Sequence, residues 1–400
     1  HADIRDKIIG FVFEKSISRF YPQSDLFSHV VGFTDLDMNG IEGIEFQYDK
    51  YLKNSHNPLF LTLDARIQAV LRNQLIKSIE KYKAKSAIGI VGEVKTGNIL
   101  AMVSLPDFNP NNFNRREQDN LYNKATSGVY EMGSIFKIFT IALGLDKKII
   151  EESDKFDISQ VISFGKYKIT QEYFTKRLLN PKEILEKSSN VGAGLIGLKI
   201  GMDRMQSFYK DIGFFDRIPS NFPVLANPLL PKHWTNINTL TISYGYGMAV
   251  TPLHVIMGVG GIVNNGQMFF PRFTKQEQYV SKNIIKQETS KKMNEYLRNV
   301  VKNGTGIRAN TLGYNVGGKT GSVRLLTSKG YKENSIMANF IGIFPMNNPH
   351  ILVYVMIEDP KTQEKNIDVA ASNTAAPIAS RIIEQIAPIL NIVPYIKKNE

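Results

Sequence analysis

The pattern of apolar and polar positions divides the chain into strand-like runs at both ends of a large domain and a helical middle. LFLTLD, from Leu59, reads as a strand, and Asp64 is placed to cap the helix ARIQAVLRNQLIKSIEKYKA, whose Leu71, Leu75 and Ile79 share one face. SAIGIVGEV and NILAMVSLP follow, two strand-like runs joined by Lys95-Thr96-Gly97, which reads as a hairpin turn. Far downstream, ANFIGIFP and HILVYVMIED flank the turn Met346-Asn347-Asn348-Pro349, and VGGKTGSV, with a second Lys-Thr-Gly, lies just upstream of them. Together these runs predict an antiparallel sheet of about five strands. The middle is mostly helical, and TAAPIASRIIEQIAPIL is a closing helix with Pro377 near its start. Helices before, within and after an antiparallel sheet predict an α+β domain, the sheet packed between helices around one core.

Residues before about Lys53 show no long helical period. FVFEKS and HVVGF read as short strands, and Tyr21-Pro22 and Met38-Asn39-Gly40 as turns, so a small β-rich module is expected. The boundary falls between Lys53 and Leu59, giving an N-terminal module over residues 1–56 and a main domain over residues 57–400.

Composition narrows the function classes. A chain of 400 residues, 42% hydrophobic, buries a sizeable core. Its formal charge of +12 favours acidic partners, but the cations are dispersed, and no zinc-finger spacing or RNA-binding aromatic signature accompanies them; no nucleic-acid partner is expected. The absence of cysteine excludes disulfides and thiol chemistry. The longest apolar runs, such as Leu253 to Val263, fall short of the roughly 20 residues a spanning helix takes. The sequence begins His1-Ala2, and the expectation is that a signal or anchor precedes this segment in a longer protein.

The chemistry is sought among serines and lysines. The six histidines are scattered with no H-x-x-x-H pair, and there is no G-x-S-x-G elbow, so neither metal catalysis nor a Ser-His-Asp triad is indicated and a serine nucleophile would need a lysine base. S-x-x-K occurs at Ser78, Ser134, Ser163 and Ser207, and S-x-N at Ser55, Ser188 and Ser281. Penicillin-recognising serine enzymes use S-x-x-K, then S-x-N, then K-T-G. Order and setting select Ser134 with Lys137, Ser188 with Asn190, and Lys319-Thr320-Gly321; Lys95 precedes any suitable serine and is left as a turn residue in solvent. In this reading burial and the nearby Lys319 charge make Lys137 a base, and Ser188 relays protons between the two lysines. Asn190 meets a substrate amide, while Lys319, Thr320 and Ser322 hold a terminal carboxylate. Gly317, Gly318 and Gly321 admit a substrate backbone, and the N–H groups of Ser134 and Ser322 form an oxyanion hole. No cofactor is required.

The chain resembles the class B penicillin-binding proteins, peptidoglycan D,D-transpeptidases, and within them the septal, FtsI-like group. Besides the three motifs, the resemblance is carried by RFYPQSDLFSHVVGFTDLDMNGIEGIE, LTLDARIQ, TGNILAMVSLPDFNPNN, SYGYGMAVTPL and KNGTGIRA. It implies the penicillin-binding transpeptidase fold on an N-terminal pedestal module. Ser134 is then the acylated nucleophile, Lys137 its base, and Ser188 with Asn190 and Lys319-Thr320-Gly321 the second and third motifs. Substrates are stem peptides ending in D-Ala-D-Ala, and β-lactams are acylating inhibitors. The implied setting is a periplasmic domain on one N-terminal anchor in the inner membrane, beside an FtsW-like membrane glycosyltransferase and other proteins of the division machinery. Ser322 stands where threonine is common in the family and keeps the hydroxyl; the module upstream of Ser18 and the 52–59 link are shorter than in many members.

Three alternatives share these motifs. An elongation-type transpeptidase differs from the septal type mainly in the context of Ser188 to Gly192 and of GIEGIE. A D,D-carboxypeptidase or β-lactamase-like hydrolase would keep the fold, but no E-x-x-L-N segment follows Asn190. A non-catalytic β-lactam sensor would not need the intact Lys137.

Overall fold

The computed structural model describes residues 17–112, 118–159, 161–164, 167–170, 176–327, 330–362 and 368–395. Its centre is a five-stranded sheet in the order Gly317–Thr327, Gly330–Phe344, Ile351–Glu358, Ser86–Glu93, Ile99–Leu105. Every neighbouring pair is antiparallel. The α+β class expected from the sequence is therefore the observed one. The first Lys-Thr-Gly is the hairpin turn between Glu93 and Ile99: Lys95 is exposed and reaches Asn348 Oδ1 at 2.8 Å, and Gly97 has φ 74°.

Alternation along the strands feeds two cores. Ala87, Val91, Val353, Val355 and Ile357 face the helices Ala65–Tyr82 and Ala375–Ile389, meeting Leu71, Leu75, Ile378 and Ile382. Ile88, Ile90, Leu352, Tyr354 and Met356 face the helical middle. Because both faces are covered, all eight residues of Ile351–Glu358 are buried, and the strand reads as a continuous apolar run instead of an alternation. Two helices of the middle, Lys137–Asp146 and Pro252–Val263, are buried at every residue, as expected for helices apolar all round. Asp64 caps Ala65–Tyr82 by accepting from Arg66 N.

The expectation of a β-rich N-terminal module is corrected. FVFEKS lies outside the described residues. The described part forms helices Ser28–Val31, Gly43–Gln47 and Asp49–Asn54, with a single two-stranded ladder of Phe33–Thr34 on Gly40–Glu42. HVVGF is split: its valines suggested a strand by propensity, but His29 is anchored by Nε2 to Asn120 O at 2.8 Å and Val30 is fully buried. Gly32, at φ 78°, then ends the helix where a Cβ would stand 1.8 Å from Glu42 O. Tertiary contacts outrank local preference here. Arg72 ties this region to the main domain through Asp25 and Asp107, each at 2.7 Å. The buried Gln68 joins three segments: its Nε2 donates to Leu26 O and Met102 O, and its Oε1 accepts from Met102 N.

Leu71 is fully buried between its helix and the sheet. Leu71→Ala is expected to lower unfolding free energy by about 3 kcal/mol, against a change within about 0.5 kcal/mol for the exposed Lys77→Ala. Urea unfolding of both variants checks this.

Candidate active site

The site begins at a short 3-10 turn, Gly133–Phe136, which runs directly into the helix Lys137–Asp146. A 3-10 turn eclipses positions i and i+3, so Ser134 and Lys137 come together: Nζ lies 2.8 Å from Ser134 Oγ. Glycines fix the turn from two sides. Gly133, at φ 54°, leaves no room for a side chain, since a Cβ would stand 2.6 Å from Val323 Cγ1 and 3.2 Å from Ser322 O. Its N–H donates to Gly245 O at 3.1 Å, and a Cβ on Gly245, at φ 96°, would fall 1.8 Å from Gly133 O. Ser134 is thus held between the Gly317–Thr327 edge strand and the loop after helix Asn236–Ile242, and remains partly exposed.

The second group arrives from a two-residue corner between helices. Pro181–Lys187 starts on a capping box of Asn180 and Glu183 and ends on Ser188, a left-handed residue at φ 59° and ψ 41°. Ser189 already caps Asn190–Ile200, accepting from Gly192 N at 3.0 Å. A serine in this conformation costs on the order of 1 kcal/mol. The corner turns three oxygens onto Lys137 Nζ: Ser188 O at 2.7 Å, Ser188 Oγ at 3.1 Å and Asn190 Oδ1 at 2.7 Å.

The third group comes from the edge strand. Lys319, paired with Ile341 in register, is fully buried, and its Nζ lies 3.0 Å from Ser188 Oγ and 3.0 Å from Thr320 O. Ser188 Oγ therefore sits between two lysine nitrogens. Burial, reinforced by the Lys319 charge, holds Lys137 well below the ordinary lysine range, and burial pulls Lys319 down to about 7. The expected cluster of Ser134, Lys137, Ser188, Asn190 and Lys319 is brought together. Of the competing serines, Ser78 is buried mid-helix and donates to Gln74 O, Ser163 lies exposed in the strand Ile162–Phe164, and Ser207 belongs to the helix Met202–Asp211.

Two expectations change. The glycines around the motif admit the protein itself: a Cβ on Gly321 would meet Asn339 Oδ1 at 2.4 Å and Met132 O at 2.5 Å, one on Gly318 Ile341 O at 2.3 Å, and one on Gly317 Arg298 N at 3.1 Å. They let the strand lie flush against its neighbours, which places it beside Ser134. The hydroxyls are also engaged: Ser322 Oγ accepts from Ala371 N at 2.9 Å, and Thr320 Oγ1 lies 2.9 Å from Thr305 Oγ1. Thr305 was missed. Its signal was present in KNGTGIRA, just past the helix Gln287–Asn303, but no residue within that run suggested a role.

A model of the penicillin binding protein transpeptidase domain matches residues 87–384. The chain is 31% identical over 400 residues to a probable peptidoglycan D,D-transpeptidase FtsI of Caulobacter vibrioides, covering 96% of this chain and 68% of that protein. It is 31% identical over 387 residues to a probable peptidoglycan D,D-transpeptidase PenA of Neisseria gonorrhoeae, covering 88% and 66%. The chain thus spans about two-thirds of the length of these curated relatives. Among solved structures, a putative peptidoglycan glycosyltransferase from Atopobium parvulum superposes with a TM-score of 0.85 at 26% identity, covering 94% of this chain and 93% of that one. The TP domain of Burkholderia pseudomallei penicillin-binding protein 3 gives 0.75 at 27% identity, covering 86% and 99%.

The contact between Gly245 and Gly133 generates a test. Gly245→Ala must displace the turn carrying Ser134, and a displacement near 1 Å at a reacting group costs about a hundredfold in rate. Labelling by a fluorescent penicillin is expected to slow by that order while circular dichroism stays native.

Proposed function

The chain belongs to the penicillin-binding protein transpeptidase family, and from that membership we propose that it is a septal peptidoglycan D,D-transpeptidase whose Ser134 is acylated by stem peptides. The observation that carries the mechanism is the set of partners around Lys137 Nζ. A neutral amine has two N–H donors and one lone pair. Its two nearest oxygens, Ser188 O and Asn190 Oδ1, both at 2.7 Å, can only accept, so they take the two N–H groups. The lone pair is left for the Ser134 hydroxyl at 2.8 Å. Neutrality is favoured because burial and Lys319 both disfavour the ammonium form.

Lys137 accepts the Ser134 proton as Oγ attacks the carbonyl carbon of the penultimate D-Ala. The oxygen that becomes negative is met by the N–H groups of Ser134 and Ser322, and one such donor is worth roughly 3 kcal/mol. As the peptide bond breaks, Ser188 Oγ, within 3.1 Å of Lys137 and 3.0 Å of Lys319, passes a proton to the departing amine of D-Ala. Lys319 and the hydroxyls of Thr320 and Ser322, which keep a proton to donate while accepting from Thr305 Oγ1 and Ala371 N, hold the terminal carboxylate, and Asn190 offers its Nδ2 to the stem peptide. An amine of a neighbouring stem peptide then displaces Ser134 and closes the cross-link. β-Lactams acylate the same serine.

The wider setting belongs to the same proposal. Residues 1–56 are the C-terminal part of an N-terminal, dimerisation-type pedestal module and residues 57–400 the transpeptidase domain. The catalytic domain works in the periplasm on a single N-terminal anchor, with an FtsW-like glycosyltransferase and other division proteins as partners. No helix among the described residues is long and apolar enough to cross a membrane. The septal assignment rests on Ser188 to Gly192 and on GIEGIE.

A fluorescent penicillin is expected to label the protein and not Ser134→Ala; equal labelling of that variant contradicts the assignment. The acylation rate constant at saturating penicillin should rise with pH as Lys137 loses its proton. Removing the Lys319 charge relieves the repulsion that depresses Lys137, so in Lys319→Ala the midpoint of that rise should move to higher pH. A midpoint that stays or falls would count against Lys137 as the base.

A further inference from the structure

Glu131, three residues before Ser134, is 8% exposed and carries the one carboxylate on the segment leading into the 3-10 turn. It accepts a hydrogen bond from Gly247 N at 2.6 Å, and its two oxygens lie 3.1 and 2.9 Å from Tyr331 Oη. No cation is paired with it among the described residues, and burial raises its carboxyl above the usual range. It joins three segments: the one leading into the turn of Ser134, the Gly245–Gly247 loop that holds Gly133, and the start of the strand Gly330–Phe344. Tyr331 is 47% exposed and packs edge-on against Tyr246, ring centroids 6.0 Å apart. The phenol therefore covers the carboxylate from the solvent side.

A glutamine would make the same connections, accepting from Gly247 and donating to the phenol, without burying a charge. The unpaired charge thus needs another reason. The reaction supplies one: the second substrate is a primary amine, cationic in water, and it must approach a pocket that already holds Lys137 and Lys319. We propose that Glu131 binds the ammonium group of the acceptor stem peptide, displacing the Tyr331 hydroxyl, and takes the proton that frees the amine for attack. This deepens the reading of Ser134 as the acylated residue and rests on it. The ammonium gives one proton to the Glu131 carboxylate. The amine nitrogen then bonds to the acyl carbon, and the ester bond to Ser134 Oγ breaks. The second proton from nitrogen reaches Oγ through Lys137, and Glu131 releases its proton to solvent. Glu131 and Tyr331 thereby determine acceptance of the amine over water.

The test uses a thioester donor peptide with D-alanine as the acceptor probe, following aminolysis and hydrolysis products together. A charge-assisted hydrogen bond lost to Glu131→Gln should lower the aminolysis-to-hydrolysis ratio about tenfold, through a higher KM for D-alanine. Tyr331→Phe removes the competitor for the carboxylate and should shift the D-alanine KM the other way; it decides the matter should Glu131→Gln fail to fold by thermal melting. Unchanged ratios and acceptor KM in the folded variants would overturn the inference, as would a wild-type protein that forms the acyl-enzyme and only hydrolyses it. A wild-type protein that forms no acyl-enzyme at all would instead overturn the assignment of Ser134.

Discussion

Two buried lysines on either side of one serine hydroxyl are the constraint around which the rest is arranged. An ammonium taken out of water is costly, and two within reach of the same oxygen repel each other, so the fold must either pair them with carboxylates or let the proton go. Among the described residues no carboxylate contacts Lys137 Nζ; its partners are two hydroxyls, a backbone carbonyl and an amide oxygen. Those partners satisfy an amine without restoring its charge. In the proposed mechanism reactivity is produced by desolvation, and the helices that exclude water are part of the chemistry.

Each lysine's supporting structure follows from that requirement. Lys137 opens a helix buried at every residue, which supplies the low-dielectric surroundings. Ser188 can offer both its carbonyl and its hydroxyl only because the chain reverses there in the left-handed conformation. Lys319 reaches the same hydroxyl because Gly318 and Gly321 let its strand lie against Ile341 O and Met132 O. Two sheet faces, each with its own core, then hold that edge strand against the turn of Ser134.

Much of this was legible in the sequence. Strands buried on both faces appear as continuous apolar runs, so SAIGIVGEV and HILVYVMIED identified themselves, and Asp64 marked its helix by capping chemistry. The candidate site emerged from the order of three weak motifs, none specific alone. What stayed hidden depends on contacts distant in sequence. The module before Lys53 was misread because its valines favour strand locally, while Asn120, Asp107 and Gln68 decide its packing from far along the chain. Thr305 acquires a role only when helix Gln287–Asn303 delivers it to Thr320. The identical Lys-Thr-Gly tripeptides illustrate the same limit: Lys95 is exposed in a turn and Lys319 is fully buried, a difference set by strand position and not by the tripeptide.

The direct test is titration of Lys137 itself, by NMR of protein carrying ¹³C at lysine Cε, with its resonance assigned from Lys137→Met. The account predicts that Lys137 titrates far below the exposed lysines and is a neutral amine at pH values where they remain charged. Titration near the ordinary lysine value of 10.5, together with the exposed lysines, would contradict it.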